Sequence, residues 1–242
     1  MLLEPPLWLS VLVLGGAVLS AGAVWTAVLS TARGPASATA GIGATRIAIG
    51  LFLGVWLALA IALSGTDFFL PDTSRTVPTI ATTGIPLVLG AIALFSIPAV
   101  WRVLSAIPLS TLIGVQVYRA LGLVFVLLWA TGWLPPAFAL PAGLGDVAVG
   151  IAAPWVAHRV RTGAPNAALI ARLWILAGVL DLVLSITLGM LTSPGPLNLL
   201  AKGAPNEMIT SFPLVLIPAF AVPLFLLLHL VAWRSVSRMP LR

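Results

Sequence analysis

The chain has 242 residues, 60% hydrophobic and 7% charged, with no Cys and a mean hydropathy of +1.16. A water-soluble domain carries about 25% charged residues, so this composition excludes one and defines an integral membrane protein. The missing Cys excludes disulfides, iron–sulfur clusters and thiolate metal sites, and two His with six acids exclude a multi-histidine metal centre.

A hydrocarbon core needs roughly 20 apolar residues per helix, and seven such runs follow one another between Pro, Gly or charge. The first, Leu7–Ser30, follows a leader, Met1–Pro6, that contains Glu4 and no basic stretch, so it is read as uncleaved rather than as a signal peptide. The second, Ala44–Ser64, is entered through Thr45-Arg46 and is followed by a polar connection, Thr66–Thr83. The third is Ile85–Ser105, the fourth Ile113–Trp133 with Gln116, Tyr118 and Arg119, and the fifth Ala137–Ala157 with Asp146. The sixth, Ala168–Leu191, contains Arg172 and Asp181. After a second long connection, Thr192–Glu207, the seventh runs over Ile209–Trp233 with Pro213, Pro218 and Pro223 at five-residue spacing. Helices are the reading that satisfies every backbone polar group in lipid over runs this long. The expected fold is therefore all-α, a polytopic membrane bundle of about seven helices forming a single transmembrane domain over residues 1–242.

The formal net charge is +6, and eleven of the twelve basic residues are Arg, the exception being Lys202. They stand singly between apolar segments, with no run or aromatic-interleaved patch, so they read as topology signals rather than as a nucleic-acid surface. Arg33, Arg102, Arg159, Arg161, Arg234, Arg238 and Arg242 fall on one side, and Glu4, Asp67, Asp72, Arg75, Lys202 and Glu207 on the other. The positive-inside bias then places the N-terminus outside and the C-terminus inside. The Arg-, Ala-, Gly- and Leu-rich composition suggests a GC-rich bacterial genome, and hence the inner (plasma) membrane as location. Trp8, Trp101, Trp133, Trp155 and Trp233 lie near run ends, where interfacial anchors belong. The two polar connections are candidate caps over an external opening, against the plainer reading as loops.

Three successive pairs of runs begin alike. Arg46, Arg119 and Arg172 enter runs two, four and six. Ile85-Pro86-Leu87, Leu140-Pro141-Ala142 and Phe212-Pro213-Leu214 open the returning partners. This suggests a threefold hairpin repeat with the first run added, although Arg at inner ends and Pro in first turns are also generic features.

An ionisable side chain inside the bilayer costs several kcal/mol and marks a functional path or a buried pair. Asp146 and Asp181 come out near the midplane. Gln116 and Arg119 are three residues apart and share a helix face, beside Tyr118, the chain's one tyrosine. Ala139, Ala142, Gly143, Gly150 and Ala153 line the face of Asp146, so a neighbouring helix can approach it closely. An Arg119–Asp146 pair is the simplest way to neutralise both charges, and a purely structural pair is one reading of it. Arg172 and Asp181, nine residues apart, point to opposite sides of their helix, so Arg172 is expected to reach the inner surface. Asp181 then lacks an evident partner, which suits a proton carrier or a general acid; a hydrogen bond to Ser185, or a pair with a charge placed elsewhere, is the alternative. His158 and His229 are read as solvated residues near the inner surface. The prolines of the seventh run remove backbone hydrogen bonds, and the freed carbonyls are candidates to line a cavity, so Pro213, Pro218 and Pro223 are candidate gating positions.

The seventh run lacks the lysine that a rhodopsin-type retinal linkage needs, and Gln116, the chain's one glutamine, stands outside any Pro-Gln signature of the sugar-efflux family. The runs Gln116-Val-Tyr118-Arg119, Phe138-Ala-Leu-Pro141-Ala-Gly-Leu-Gly145-Asp146 and Phe212-Pro213-Leu-Val-Leu-Ile-Pro218 resemble those of uncharacterised bacterial multi-pass membrane proteins. That resemblance implies the membrane fold and no activity. Membrane-embedded terpene cyclases are similar in length, helix count and reliance on a few intramembrane acids, with no motif of theirs matched.

Two functions fit these residues. The first is a small-solute permease, proton-linked, with Asp146 and Asp181 as a midplane site and Arg119, Gln116 and Tyr118 as substrate- or proton-binding neighbours. The second is a membrane-embedded enzyme on a lipid or isoprenoid, in which Asp146 or Asp181 is the catalytic general acid. An accessory membrane subunit is a third reading. The expected partners are the lipid bilayer and a small-molecule or lipid substrate, with no nucleic acid, no metal and no cofactor. Small-residue faces also allow a homo-oligomer.

Overall fold

The computed structural model describes residues 5–31, 41–70 and 78–239. Glu4, Arg33, Asp72, Arg75 and Arg242, which contribute to the expected orientation, and most of the leader Met1–Pro6 lie outside the described residues. The described chain is helical, without a strand. Six stretches are long and apolar enough to cross a membrane: Leu7–Ser30, Ile42–Ser64, Leu109–Ala130, Pro136–Thr162, Ala167–Thr192 and Ile217–Val236. A bent pair makes a seventh if it counts as one span.

The helices are α1 (Leu7–Ser30), α2 (Ile42–Ser64), α3 (Pro78–Ser96), α4 (Pro98–Ser105), α5 (Leu109–Gly114), α6 (Leu123–Ala130), α7 (Pro136–Thr162), α8 (Ala167–Thr192) and α9 (Val222–Val236). α1, α2, α7 and α8 follow the sequence expectation closely. The other three spans depart from it, each for a local reason. The third turns by 94° between α3 and α4. Ile97 precedes a proline, which disfavours helical backbone there, and it adopts φ −109 and ψ 100 while Pro98 opens the new helix. The fourth span starts earlier than expected, at Leu109. It is divided between α5 and α6 by a 3₁₀ stretch, Val115–Gly122, that carries Gln116, Tyr118 and Arg119.

The seventh span starts at Ile217 rather than Ile209. Pro213 therefore lies in the preceding connection, which corrects its expected place within the seventh helix. A π turn over Ile217–Ala221 leads into α9, with Pro218 inside it and Pro223 in the first turn of α9. The Val222 amide bonds back to the Ile217 carbonyl, and Pro223 has no amide to offer. The Pro218 carbonyl is taken instead by the Thr83 hydroxyl at 2.7 Å, and the Ala219 carbonyl by the Trp56 indole N–H at 3.0 Å. The freed carbonyls thus tie α9 to α3 and α2.

α7 is the hub, packed against α5, the 3₁₀ stretch, α6 and α8. Its small-residue face makes this close approach feasible. Ala139, Ala142, Gly143, Gly150 and Ala153 are all buried, and a side chain at Gly150 would run into the backbone at Ala120. The outward face of α8 is apolar, with Leu169, Leu173, Leu176, Leu180 and Leu184 exposed at three- and four-residue steps. A helix with apolar residues all round suits lipid on one side and protein on the other.

Candidate functional site

Four elements converge on one buried charged cluster. The 3₁₀ stretch supplies Arg119, α7 Asp146, α8 Asp181 and α9 His229. The Arg119 side chain has no solvent exposure. Its Nε donates to Asp146 Oδ1 at 2.8 Å and its Nη2 donates to Asp181 Oδ2. Its Nη1 faces the Gly178 carbonyl at 3.2 Å and His229 Nε2 at 3.1 Å. Arginine only donates, so Nε2 of His229 accepts. All three guanidinium nitrogens are thereby engaged, one on each carboxylate and the third on the Gly178 carbonyl and His229, and charge-assisted hydrogen bonds of this kind are stronger than neutral ones.

Asp181 is therefore paired, contrary to the expectation that it lacks a partner. The 3₁₀ stretch places the guanidinium between α7 and α8, within reach of both acids. Of the two alternatives the pair with a charge placed elsewhere holds, with Arg119, while the buried Ser185 hydroxyl has no hydrogen-bond partner. Arg172 is not part of the cluster and donates to the Val236 and Met239 carbonyls at the end of α9. Arg46 caps α1 similarly through Thr31. Of the three arginines in the suggested repeat, Arg119 alone reaches the acids.

His229 corrects the expectation of a solvated interfacial histidine. It is fully buried, its ring lies 5.2 Å from that of Trp174, and its Nδ1 has no partner. Placing the end of the seventh span at Trp233 puts His229 four residues from water. α9 in fact continues to Val236 and packs this face against α8. Gln116 is buried as well, donating from Nε2 to the Phe225 carbonyl at 3.3 Å, while its Oε1 is unpartnered. Tyr118 is half-buried and lines a cavity beside Arg119.

Glycines let the cluster close. A Cβ at Gly145 would collide with the Asp181 carboxylate, one at Gly122 with Asp146, and one at Gly178 with the His229 ring and the Arg119 guanidinium. These positions were not singled out in the sequence, yet Gly145 adjoins Asp146, and Gly178 stands three residues before Asp181 on the same helix face.

Two small cavities flank Asp146. One, of about 70 Å³, lies between α1, the 3₁₀ stretch and the π turn, and includes Ser20, Tyr118, Arg119 and Asp146 in its wall. The other, of about 30 Å³, includes Thr83, Asp146, Ser185 and Pro218. Both irregular segments of the bundle border the first cavity. Such 3₁₀ and π interruptions within helices are frequent at functional sites. With both acids ionised, one guanidinium faces two carboxylates, and the excess negative charge suits a proton or a small cation.

Fold and site define a class, a helical bundle with an apolar exterior and a buried Arg–Asp–Asp–His cluster at a helix break. The chain belongs to the family described as the domain of unknown function DUF8737, whose profile matches residues 77–236. That span holds all four cluster residues and leaves α1 and α2 outside it. No curated protein and no solved structure matches the chain.

Proposed function

We propose that the protein is a multi-pass permease of the plasma membrane, N-terminus outside and C-terminus inside, moving a small solute coupled to protons. Asp146 is the proton-loading carboxylate, and Arg119 and Asp181 hold it in place. The observation that carries this reading is that Asp146, the one acid in either wall, lines both small cavities. A carboxyl with access to two compartments of the interior is what alternating exposure of a proton requires. The π turn with Pro218 and Pro223, held by the hydrogen bonds from Thr83 and Trp56 described above, is the segment positioned to move. Gln116 and Tyr118 complete the polar wall.

The enzyme reading fits less well. A cavity of about 70 Å³ is small for an isoprenoid or a lipid, and the larger apolar cavity of the bundle contains no acid in its lining. The test is proton movement into proteoliposomes, read with an entrapped pH dye under an imposed gradient and a panel of small solutes. Wild type should acidify the lumen faster with one of them, and Asp146→Asn should abolish the increment while reconstituting equally well. Undiminished flux through Asp146→Asn would remove the proposal.

A further inference from the structure

The larger cavity lies away from the charged cluster, between α2, α3, α4 and α9, and measures about 240 Å³. Its lining is apolar throughout, including Phe52, Trp56 and Leu89, and on α9 Leu224, Leu227 and Val231. Beyond the cavity this stripe leads to Arg234 in the last turn of α9 and to Arg238 in the turn that follows the helix. Both guanidinium groups stand over Trp101 of α4, at 3.9 Å and 5.5 Å from the ring centroid, and Arg234 also lies 5.3 Å from the Phe95 ring. Trp101 neighbours Val100, itself part of the cavity wall. Arg102 is exposed on the same short helix.

Among the described residues no acid pairs with these arginines. The sequence contains no Asp or Glu between residues 73 and 145 and none after residue 207, and among the described residues both ion pairs belong to Arg119. Arginine stacked on an aromatic ring keeps its donor edges available and binds phosphate through them. An apolar slot followed by two arginines stacked on one tryptophan, with no acid paired to them among the described residues, has the two-part chemistry of an anionic phospholipid. We infer that this cavity binds the acyl chain of an anionic phospholipid, whose phosphate is held by Arg234 and Arg238 beside Trp101. The 94° turn between α3 and α4 is what brings Trp101 under the arginines. The inference rests on the membrane part of the proposed function and is independent of transport.

The test is native mass spectrometry of the purified full chain, titrated with phosphatidylglycerol, with phosphatidylcholine of the same chains, and with glycerol 3-phosphate. The expected order is phosphatidylglycerol over phosphatidylcholine by at least about tenfold, with glycerol 3-phosphate unbound, since each basic residue near a headgroup strengthens binding about fivefold. Arg234→Gln with Arg238→Gln should erase the preference between the two lipids. Ala93→Leu, which projects into the cavity, should weaken both lipids and leave their ratio intact. Equal binding of the two lipids by wild type, or phosphatidylglycerol binding unchanged in both variants, would overturn the inference, and so would glycerol 3-phosphate binding as tightly as the lipid. Recovery of wild type in nanodiscs of neutral lipid tests the membrane reading separately.

Discussion

The cavity beside Asp146 and the cavity beside Trp56 are built by opposite means. The first holds about 70 Å³ around an arginine and two carboxylates, and glycines on three elements press backbone against those charged groups. The second holds about 240 Å³, has no charge in its lining, and is walled mostly by aliphatic and aromatic side chains. The difference follows from what each interaction demands. Charges removed from water are stable only at contact distance with full hydrogen bonding, so the bundle gives up side chains wherever they would hold Arg119 away from its acids. Apolar helix packing within lipid has no comparable drive, because lipid tails are as apolar as leucine. A void can then persist there at little cost.

Arg119→Met is the harshest test of the tight cavity. It leaves two buried carboxylates facing each other without a counter-charge, and breaking a buried pair in this way costs about 3–5 kcal/mol. We expect a large drop in the unfolding temperature of the detergent-purified protein. Asp181→Asn, which keeps the shape and relieves the charge excess, should unfold near wild type. If the two variants are equally stable, Arg119 is not what neutralises the cluster.

Gly145→Ala probes the same cavity without altering its charge. The added methyl meets the Asp181 carboxylate, and forcing atoms into a packed interior costs about 1–3 kcal/mol. Gly54→Ala on α2 is the control, since nothing lies within 4 Å of its added carbon, and Ala in a helix interior gains roughly 0.5–1 kcal/mol over Gly. Thermal melts of the two single variants should therefore move in opposite directions. A shared direction would mean that the glycines near the cluster are not required for its closure.

Much of this bundle is legible in the sequence because apolar runs of about 20 residues permit so few solutions. α1 is recovered residue for residue from its apolar run, α2 and α8 within a turn of theirs, while α7 runs on past Ala157 to Thr162. The Arg119–Asp146 contact follows from the small-residue face around Asp146. What escapes is non-α backbone. The 3₁₀ stretch over Val115–Gly122 has the same residue types as a regular helix, and only its tertiary packing against Gly143 and Gly150 of α7 distinguishes it. That shift turns the guanidinium towards Asp181, so its partner could not be read from helical spacing. His229 escaped for a related reason. The π turn and the later end of α9 change both its depth and its facing, and neither is written in hydropathy. Ile97-Pro98 did carry a readable signal, since a residue before proline resists helix, but a continuous apolar run over Ile85–Ser105 masks it.

Trp56 links the two cavities, lining the apolar one while its indole N–H holds the Ala219 carbonyl at the break before α9. Trp56→Phe keeps most of the ring and leaves that carbonyl unpaired, a loss of about 1–3 kcal/mol for a buried polar group. If the π turn is the moving part, the variant should also raise proton flux in vesicles by loosening the turn, with Asp146 still in place. Reduced stability without a change in flux would confine Trp56 to a structural role.

The smallest expected effect falls on the loose cavity. Ala93→Leu adds three carbons to a wall that has room for them. In a bundle surrounded by apolar chains the gain is one of contact rather than of removal from water, so stability should rise by less than about 1 kcal/mol. The informative quantity is how that gain depends on lipid. In delipidated protein the leucine fills a void and the melt moves up. With phosphatidylglycerol added, an acyl chain in the wild-type cavity already supplies the same contacts, so the advantage of the variant should vanish or reverse. An advantage that persists at saturating lipid would mean that no chain enters the cavity, and that the void is a consequence of weak packing forces in lipid rather than a binding site.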